Sequence, residues 1–181
     1  MQKKSIYKLA SETGVPAGLY LTLMSACILL SVKITALPMF ILPLALGFPF
    51  ILWVLMKKIS REEPAYQKFS SLWLGGLYTV IFGSLICMFL SALYIVFVEP
   101  NFVHLYVNNT LNVLEEAGLG SQYDSSIALM REAMEAHILP SGLEFITTMA
   151  WFTCFVGSIL SLVLALIMSR STKNVTRQSP V

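Results

Sequence analysis

Charge is what this chain has least of. Of its 181 residues, 12 are Lys or Arg and 10 are Asp or Glu, which is 12% of the chain, where a soluble globular domain carries about 25%. A mean hydropathy of +0.74 with 56% apolar residues excludes an ordinary soluble domain and equally a disordered chain, because so much apolar surface has to be buried in something. Cysteine is also scarce. Cys27, Cys87 and Cys154 stand singly inside apolar runs, so no C-x-x-C pair is available for a metal or a redox couple, and they read as small packing residues. There is no G-x-S-x-G elbow, no glycine-rich phosphate loop and no zinc-protease motif. No enzyme activity, cofactor, metal or nucleic-acid partner is therefore expected.

What is present is four apolar segments, at about 15–32, 37–56, 72–98 and 143–168, each near the roughly 20 residues that a helix needs to cross the hydrocarbon core. The expected fold class is all-α: a single polytopic membrane domain over 1–181. Each segment is bounded by charge, at Lys33, Lys57-Lys58, Glu99 and Arg170. Ten of the twelve Lys and Arg fall before span one, between spans two and three, or after span four. Cytoplasmic flanks accumulate positive charge, so both termini are expected in the cytoplasm, with a cytoplasmic tail over 170–181. With Glu12, Glu62 and Glu63 set against those ten, the cytoplasmic segments carry +7. Lys33 and Arg131 against seven carboxylates leave −5 outside, which together make the overall +2. Trp53, Trp73 and Tyr20 are expected near the inner surface, and Tyr94 and Phe97 near the outer one, as interfacial belts. Lys3-Lys4 and Met24-Ser25-Ala26-Cys27 imitate a lipoprotein signal, but Ile28-Leu29-Leu30 continues apolar where a mature lipoprotein turns polar, so an uncleaved anchor is expected.

Span three repeats small or modest residues every fourth position, at Ser71, Gly75, Thr79, Gly83, Cys87 and Ser91. Span four does so at Thr153, Gly157, Ser161, Ala165 and Ser169. Such stripes let two backbones approach closely, and the expectation is that spans three and four pack antiparallel along them; small residues are, however, common in membrane helices generally. Span two holds Pro38, Pro43, Gly47 and Pro49. Pro38 suits a first turn, whereas Pro43 and Pro49 remove internal hydrogen bonds and mark a candidate kink or break. Broken helices line sites in transporters, although prolines whose freed carbonyls find neighbours are ordinary in membranes.

Residues 99–142 are too polar to span. Val103, Val107, Leu111 and Leu114 share one helical face, Gly118 and Gly120 provide a stop, and a second helix is expected from Asp124 or Ser125 with Ile127, Met130, Met134 and Ile138 on one side. The reading is an extracytoplasmic pair of amphipathic helices, with Glu115, Glu116, Arg131, Glu132 and Glu135 as a candidate partner surface. His104 and His137 lie among these carboxylates without a ligand spacing, so a solvated acidic face is the commoner reading. No ionisable residue is central in a span; Lys33, Glu99 and Glu144 mark the outer boundary. Hydroxyls at Thr22, Ser25, Thr35, Thr147 and Thr148 usually bond their own helix. Glu62-Glu63 superficially matches the paired glutamates of intramembrane proteases, but it lies in a basic connection and precedes proline. Asn108-Asn109-Thr110 and Asn174-Val175-Thr176 match sequons, the second in the expected cytoplasmic tail. The basic inner flanks should attract anionic headgroups.

The basic N-terminus, two close spans, Tyr66-Gln67-Lys68-Phe69 leading into Gly75-Gly76, the exit from Tyr94 to Pro100-Asn101-Phe102, the long acidic segment and the closing Ser169-Arg170 together resemble the bacterial inner-membrane proteins of domain-of-unknown-function family 4199. The resemblance covers Ser5 to Arg170. It implies a bacterial inner-membrane location and an envelope-glycan setting near glycosyltransferases, but supplies no site residues. The leading expectation is an accessory or scaffold subunit of a cell-envelope membrane complex, with a glycosyltransferase as the partner class the resemblance suggests, in contact with membrane lipid and a protein partner; the oligomeric state stays open. The alternative is a small transporter or lipid-linked sugar translocator.

Overall fold

The computed structural model describes residues 5–34, 36–62, 64–116, 120–136 and 138–177, with the side chains of 64, 65, 115, 120–124, 126 and 171–177 outside that description. Every regular element among the described residues is helical: α1 (Ile6–Leu30), α2 (Pro38–Glu62), α3 (Phe69–Phe97), α4 (Phe102–Glu116), α5 (Gly120–Glu135) and α6 (Gly142–Arg177), with a 3₁₀ turn at Pro64–Gln67 leading into α3. Four of them, α1, α2, α3 and α6 as far as Arg170, are long and apolar enough to cross a membrane. The chain is a multi-pass membrane protein.

The helices outrun the apolar runs that announce them. α1 starts nine residues before Val15 and α2 continues six beyond Met56, through Lys57-Lys58. α6 stays helical to Arg177, so the expected tail begins as helix. Hydropathy marks where lipid would lie, whereas helix propensity is indifferent to it: Lys, Arg and Glu are good helix formers and extend a helix past the apolar limit. α5 likewise begins at Gly120, ahead of the expected start at Asp124 or Ser125. α6 opens with a reciprocal cap that the sequence reading passed over. The Glu144 amide donates to Ser141 Oγ (3.2 Å), and the Ser141 amide donates to Glu144 Oε2 (2.7 Å). Two of the amides that a helix start leaves unpaired are thus satisfied by side chains.

α3 is the axis of the molecule. Its most extensive contacts are with α1 and then with α6, while α2 touches the others far less. Two hydroxyl pairs fix how α1 runs: Thr13 Oγ1 with Thr79 Oγ1 and Ser25 Oγ with Ser91 Oγ, both 2.8 Å apart and both separated by 66 residues. A constant offset means parallel helices in one register. Ser84 Oγ with Cys154 Sγ, at 2.9 Å, and the approaches of Gly76 to Ser161 and Gly142 to Ile95 keep a nearly constant sum of residue numbers, which makes α6 antiparallel to α3. This alternation puts Lys8, Lys57, Lys58, Arg61, Lys68 and Arg170 at one end of the bundle, opposite Lys33 and Glu99.

α2 leans on the bundle through one half only. Its buried residues are Phe48, Leu52, Leu55, Met56 and Ile59, in a cluster with Leu21, Leu72, Val80 and Ala165; ahead of them Met39, Leu42 and Leu46 are 70–80% exposed. Of the two readings, kink or break, α2 does not show the break: it is one continuous helix through Pro43 and Pro49. Tyr20 donates from its hydroxyl to the Leu44 carbonyl at 2.7 Å, beside the Ala45 carbonyl that Pro49 leaves without its helical donor. Tyr20 is accordingly a bridge between helices inside the bundle and not a member of an inner belt. Trp73 stands near the basic end of α3, half-buried against the same cluster as Leu52.

Candidate functional site

The tightest packing lies where glycines meet. A methyl group added at Gly18 would stand 2.9 Å from Ile86 Cβ and 3.0 Å from the Gly83 carbonyl oxygen. One added at Gly83 would stand 3.0 Å from the Gly18 amide nitrogen and 3.2 Å from Ala17 Cβ. Backbone therefore meets backbone, which only small residues permit. The span-three stripe of Thr79, Gly83 and Ser91 thus faces α1, not α6 as the stripes alone suggested. Gly75 faces Ile59 of α2 and Ile6 of α1. The span-four stripe does face α3, but on the neighbouring face: Gly157 abuts Val80, and Ser161 abuts Gly76. Ala165 is fully buried in the cluster formed with α2. The counterpart overlooked on α1 is Gly14-x-x-x-Gly18, a small-residue signal of the very kind sought in spans three and four.

On the side of these contacts toward Lys33 and Glu99, the three helices part around a cavity of about 80 Å³. Leu21, Met24 and Ile28 of α1, Met88 of α3 and Ile146 and Met149 of α6 form its walls, and Ser25, Ser84, Cys87, Ser91 and Thr153 form a polar strip along them. The strip is largely satisfied from within. Ser25 and Ser91 bond each other, Ser84 bonds Cys154 and the Ile81 carbonyl, and Thr153 donates to the Met149 carbonyl. Its chemistry is that of a neutral, apolar recess. An engineered cavity of about 150 Å³ holds benzene, so this one has room for the end of an alkyl chain but not for a lipid-linked sugar.

Above the cavity sits an aromatic cluster. Phe102, the fully buried first residue of α4, lies 5.6 Å from the Tyr106 ring and 5.8 Å from that of Phe145, packed over Leu29, Ile95 and Ile146. Two polar ties hold α4 and the turn ahead of it to the segment after α1. Asn109 Nδ2 donates to the Val32 carbonyl at 3.0 Å, and Lys33 Nζ pairs with Glu99 at 2.9 Å. Hydrogen bonding and charge from Glu99 raise the Lys33 pKa above its ordinary 10.5.

The acidic segment is arranged less uniformly than its sequence pattern. Val103 and Leu111 of α4 and Ile127 of α5 are buried and Met134 is half-buried, but Met130 and Ile138 of the expected apolar face are exposed. Glu116, Arg131, Glu132 and Glu135 are exposed, and Arg131 and Glu135 line a shallow cleft with Asn108 and Asn112 of α4. The Glu115 side chain and His137 lie outside the described residues, as do Thr35, Glu63 and Gly118. His104 is exposed. Among the described residues, no three His, Cys, Asp or Glu side chains gather as metal ligands would.

A family model, for a protein of unknown function designated DUF4199, matches residues 13–170. The match starts at Thr13, which pairs with Thr79 of α3, and ends at Arg170, the last residue of the fourth apolar span. No curated protein and no solved structure matches the chain. The four apolar helices and a family match that takes in most of the first and all of the other three lead to one conclusion: the chain is a multi-pass membrane protein that belongs to the DUF4199 family.

Proposed function

We propose that the protein is an accessory or scaffold subunit of a bacterial inner-membrane complex of the cell envelope, with both termini cytoplasmic and α4 and α5 forming an extracytoplasmic amphipathic pair that meets a protein partner. The observation that carries this reading is the contrast between a rigid core and unused surfaces. α1 and α3 interlock through glycines at backbone distance, and α6 packs Gly157 and Ser161 closely on α3, while the first half of α2 and Glu132 of α5 spend little of their surface inside the molecule. A scaffold needs a stiff frame that leaves surfaces free for others. The polarised charge supports the orientation, and glycosyltransferases are the partner class that the family setting suggests.

The test is purification from native membranes in mild detergent at low expression level. A stoichiometric membrane partner, released when Glu132 and Glu116 are replaced by Lys, is the expected result. Recovery of this chain alone would overturn the proposal. A lipid-linked sugar translocator is the lesser reading, because the cavity of about 80 Å³ would have to grow severalfold by separating the glycine contacts that hold α1 to α3. Substrate-dependent flux in liposomes containing only this protein would reverse that ranking.

A further inference from the structure

We infer that the end of α2 carries a site for the headgroup of one anionic phospholipid. Where α2 turns Leu52, Leu55, Met56 and Ile59 into the bundle, its opposite side presents Trp53, Lys57 and Arg61 four residues apart, with Val54 and Lys58 alongside. These residues line a shallow concave patch. Residues four apart stand one above another on a helix, so the order along the face is a vertical profile.

That profile matches a phospholipid from tail to head. Leu46 and Phe50 are strongly exposed and apolar. Phe50 lies 5.9 Å from Trp53, an amphipathic ring suited to the level of the glycerol esters. Lys57 Nζ lies 4.9 Å from the Trp53 ring centroid, which fixes an ammonium at the edge of the apolar zone. Lys58 and Arg61 follow within one turn, and the Arg61 guanidinium is able to grip a phosphate through two parallel N–H donors. From Trp53 to Arg61 the helix rises about 12 Å, enough to run from the edge of the hydrocarbon core through an interfacial region of about 5–8 Å. Among the described residues, Glu62 is the one carboxylate lining the patch. Among the described residues, Lys57, Lys58 and Arg61 have no carboxylate partner.

The basic flank is therefore more than a diffuse determinant of orientation: an indole and three cations follow one another along one face, beside an apolar track long enough for an acyl chain. The lipid class this selects is a phospholipid with net negative charge. A zwitterionic lipid offers the same phosphate but brings its own ammonium.

The full chain, purified in detergent, is titrated with phosphatidylglycerol or phosphatidylcholine, and bound lipid is counted by native mass spectrometry. One phosphatidylglycerol is expected to be held in strong preference to phosphatidylcholine. K57Q, K58Q and R61Q should each weaken it about fivefold, and the three together on the order of a hundredfold. The charge-retaining pair K57R/K58R and the control Lys68→Gln should keep it within about twofold. Three results would overturn the inference: equal retention of the two lipids by the unaltered protein, unchanged phosphatidylglycerol binding in the triple variant, or displacement of the lipid by inorganic phosphate in roughly tenfold excess. The last would identify a free-anion site instead. The competition between lipids needs no variant, so it stands even if the triple substitution disturbs insertion.

Discussion

Gly83 and Gly75 stand eight residues apart on one stripe of α3, and their surroundings are not equivalent. A Cβ at Gly83 meets the backbone of α1, which cannot move alone, whereas one at Gly75 meets the ends of Ile59 and Ile6, which can turn aside. Gly83→Ala is expected to destabilise the purified protein by about 1–3 kcal/mol, the ordinary cost of overpacking. Gly75→Ala should be near neutral or slightly stabilising, since Ala is the better helix former. Thermal unfolding in detergent measures both, and equal losses would mean that the stripe acts only through composition. The Thr13–Thr79 rung is a smaller quantity. Interhelical hydroxyl bonds in membranes average about 0.6 kcal/mol, so a double-mutant cycle through T13V and T79V should give a coupling of that order.

At the scale of elements, the pairing of α3 with α1 is the feature that sequence least revealed. A stripe shows which face of a helix is prepared for close approach, but its partner depends on which other helix carries a matching notch in the same register. Gly14 and Gly18 were as visible as Gly75 and Gly83; the difference was that α1 looked short, its helical start being hidden by Lys8 and Glu12. The expected crosslinking pattern follows from the geometry. Thr13→Cys with Thr79→Cys should form a disulfide, as should Ser84→Cys with the native Cys154, whereas Gly83→Cys should not reach α6. The opposite pattern would restore the original pairing. The start of α6 was legible in principle, since Ser141-Gly142-Leu143-Glu144 has the spacing of a capping box. Ser141→Ala should cost about 1 kcal/mol in the same unfolding assay.

The tie between Lys33 and Glu99 adds a pH dependence. Because the lysine pKa is raised by its partner, the contribution of the pair is fully present below the ordinary lysine value and is lost only as pH rises through the raised one. The difference in stability between the parent protein and Lys33→Gln should therefore be constant across neutral pH and shrink only in strong alkali. A difference that vanished near neutrality would contradict the assignment of the ion pair.

At the scale of the whole molecule, the number of spans and the division of charge between two ends were readable, because both follow from composition averaged over many residues. The cavity and the aromatic cluster over it were not, because they depend on where three helices part, a matter of side-chain size at a few rungs. What the chain leaves exposed bears most directly on its role. Its α1 and α3 close on each other through backbone contacts, its α2 end is basic, and its α5 face is charged. The most direct measurement is site-specific photocrosslinking in intact cells from Glu132 on α5, compared with Phe155 on the exposed apolar face of α6. A subunit that meets its partner through the outer helices should give one discrete protein adduct from position 132 and lipid adducts alone from position 155. An absence of protein adducts at 132, or crosslinks there only to cytoplasmic proteins, would contradict both the role and the orientation.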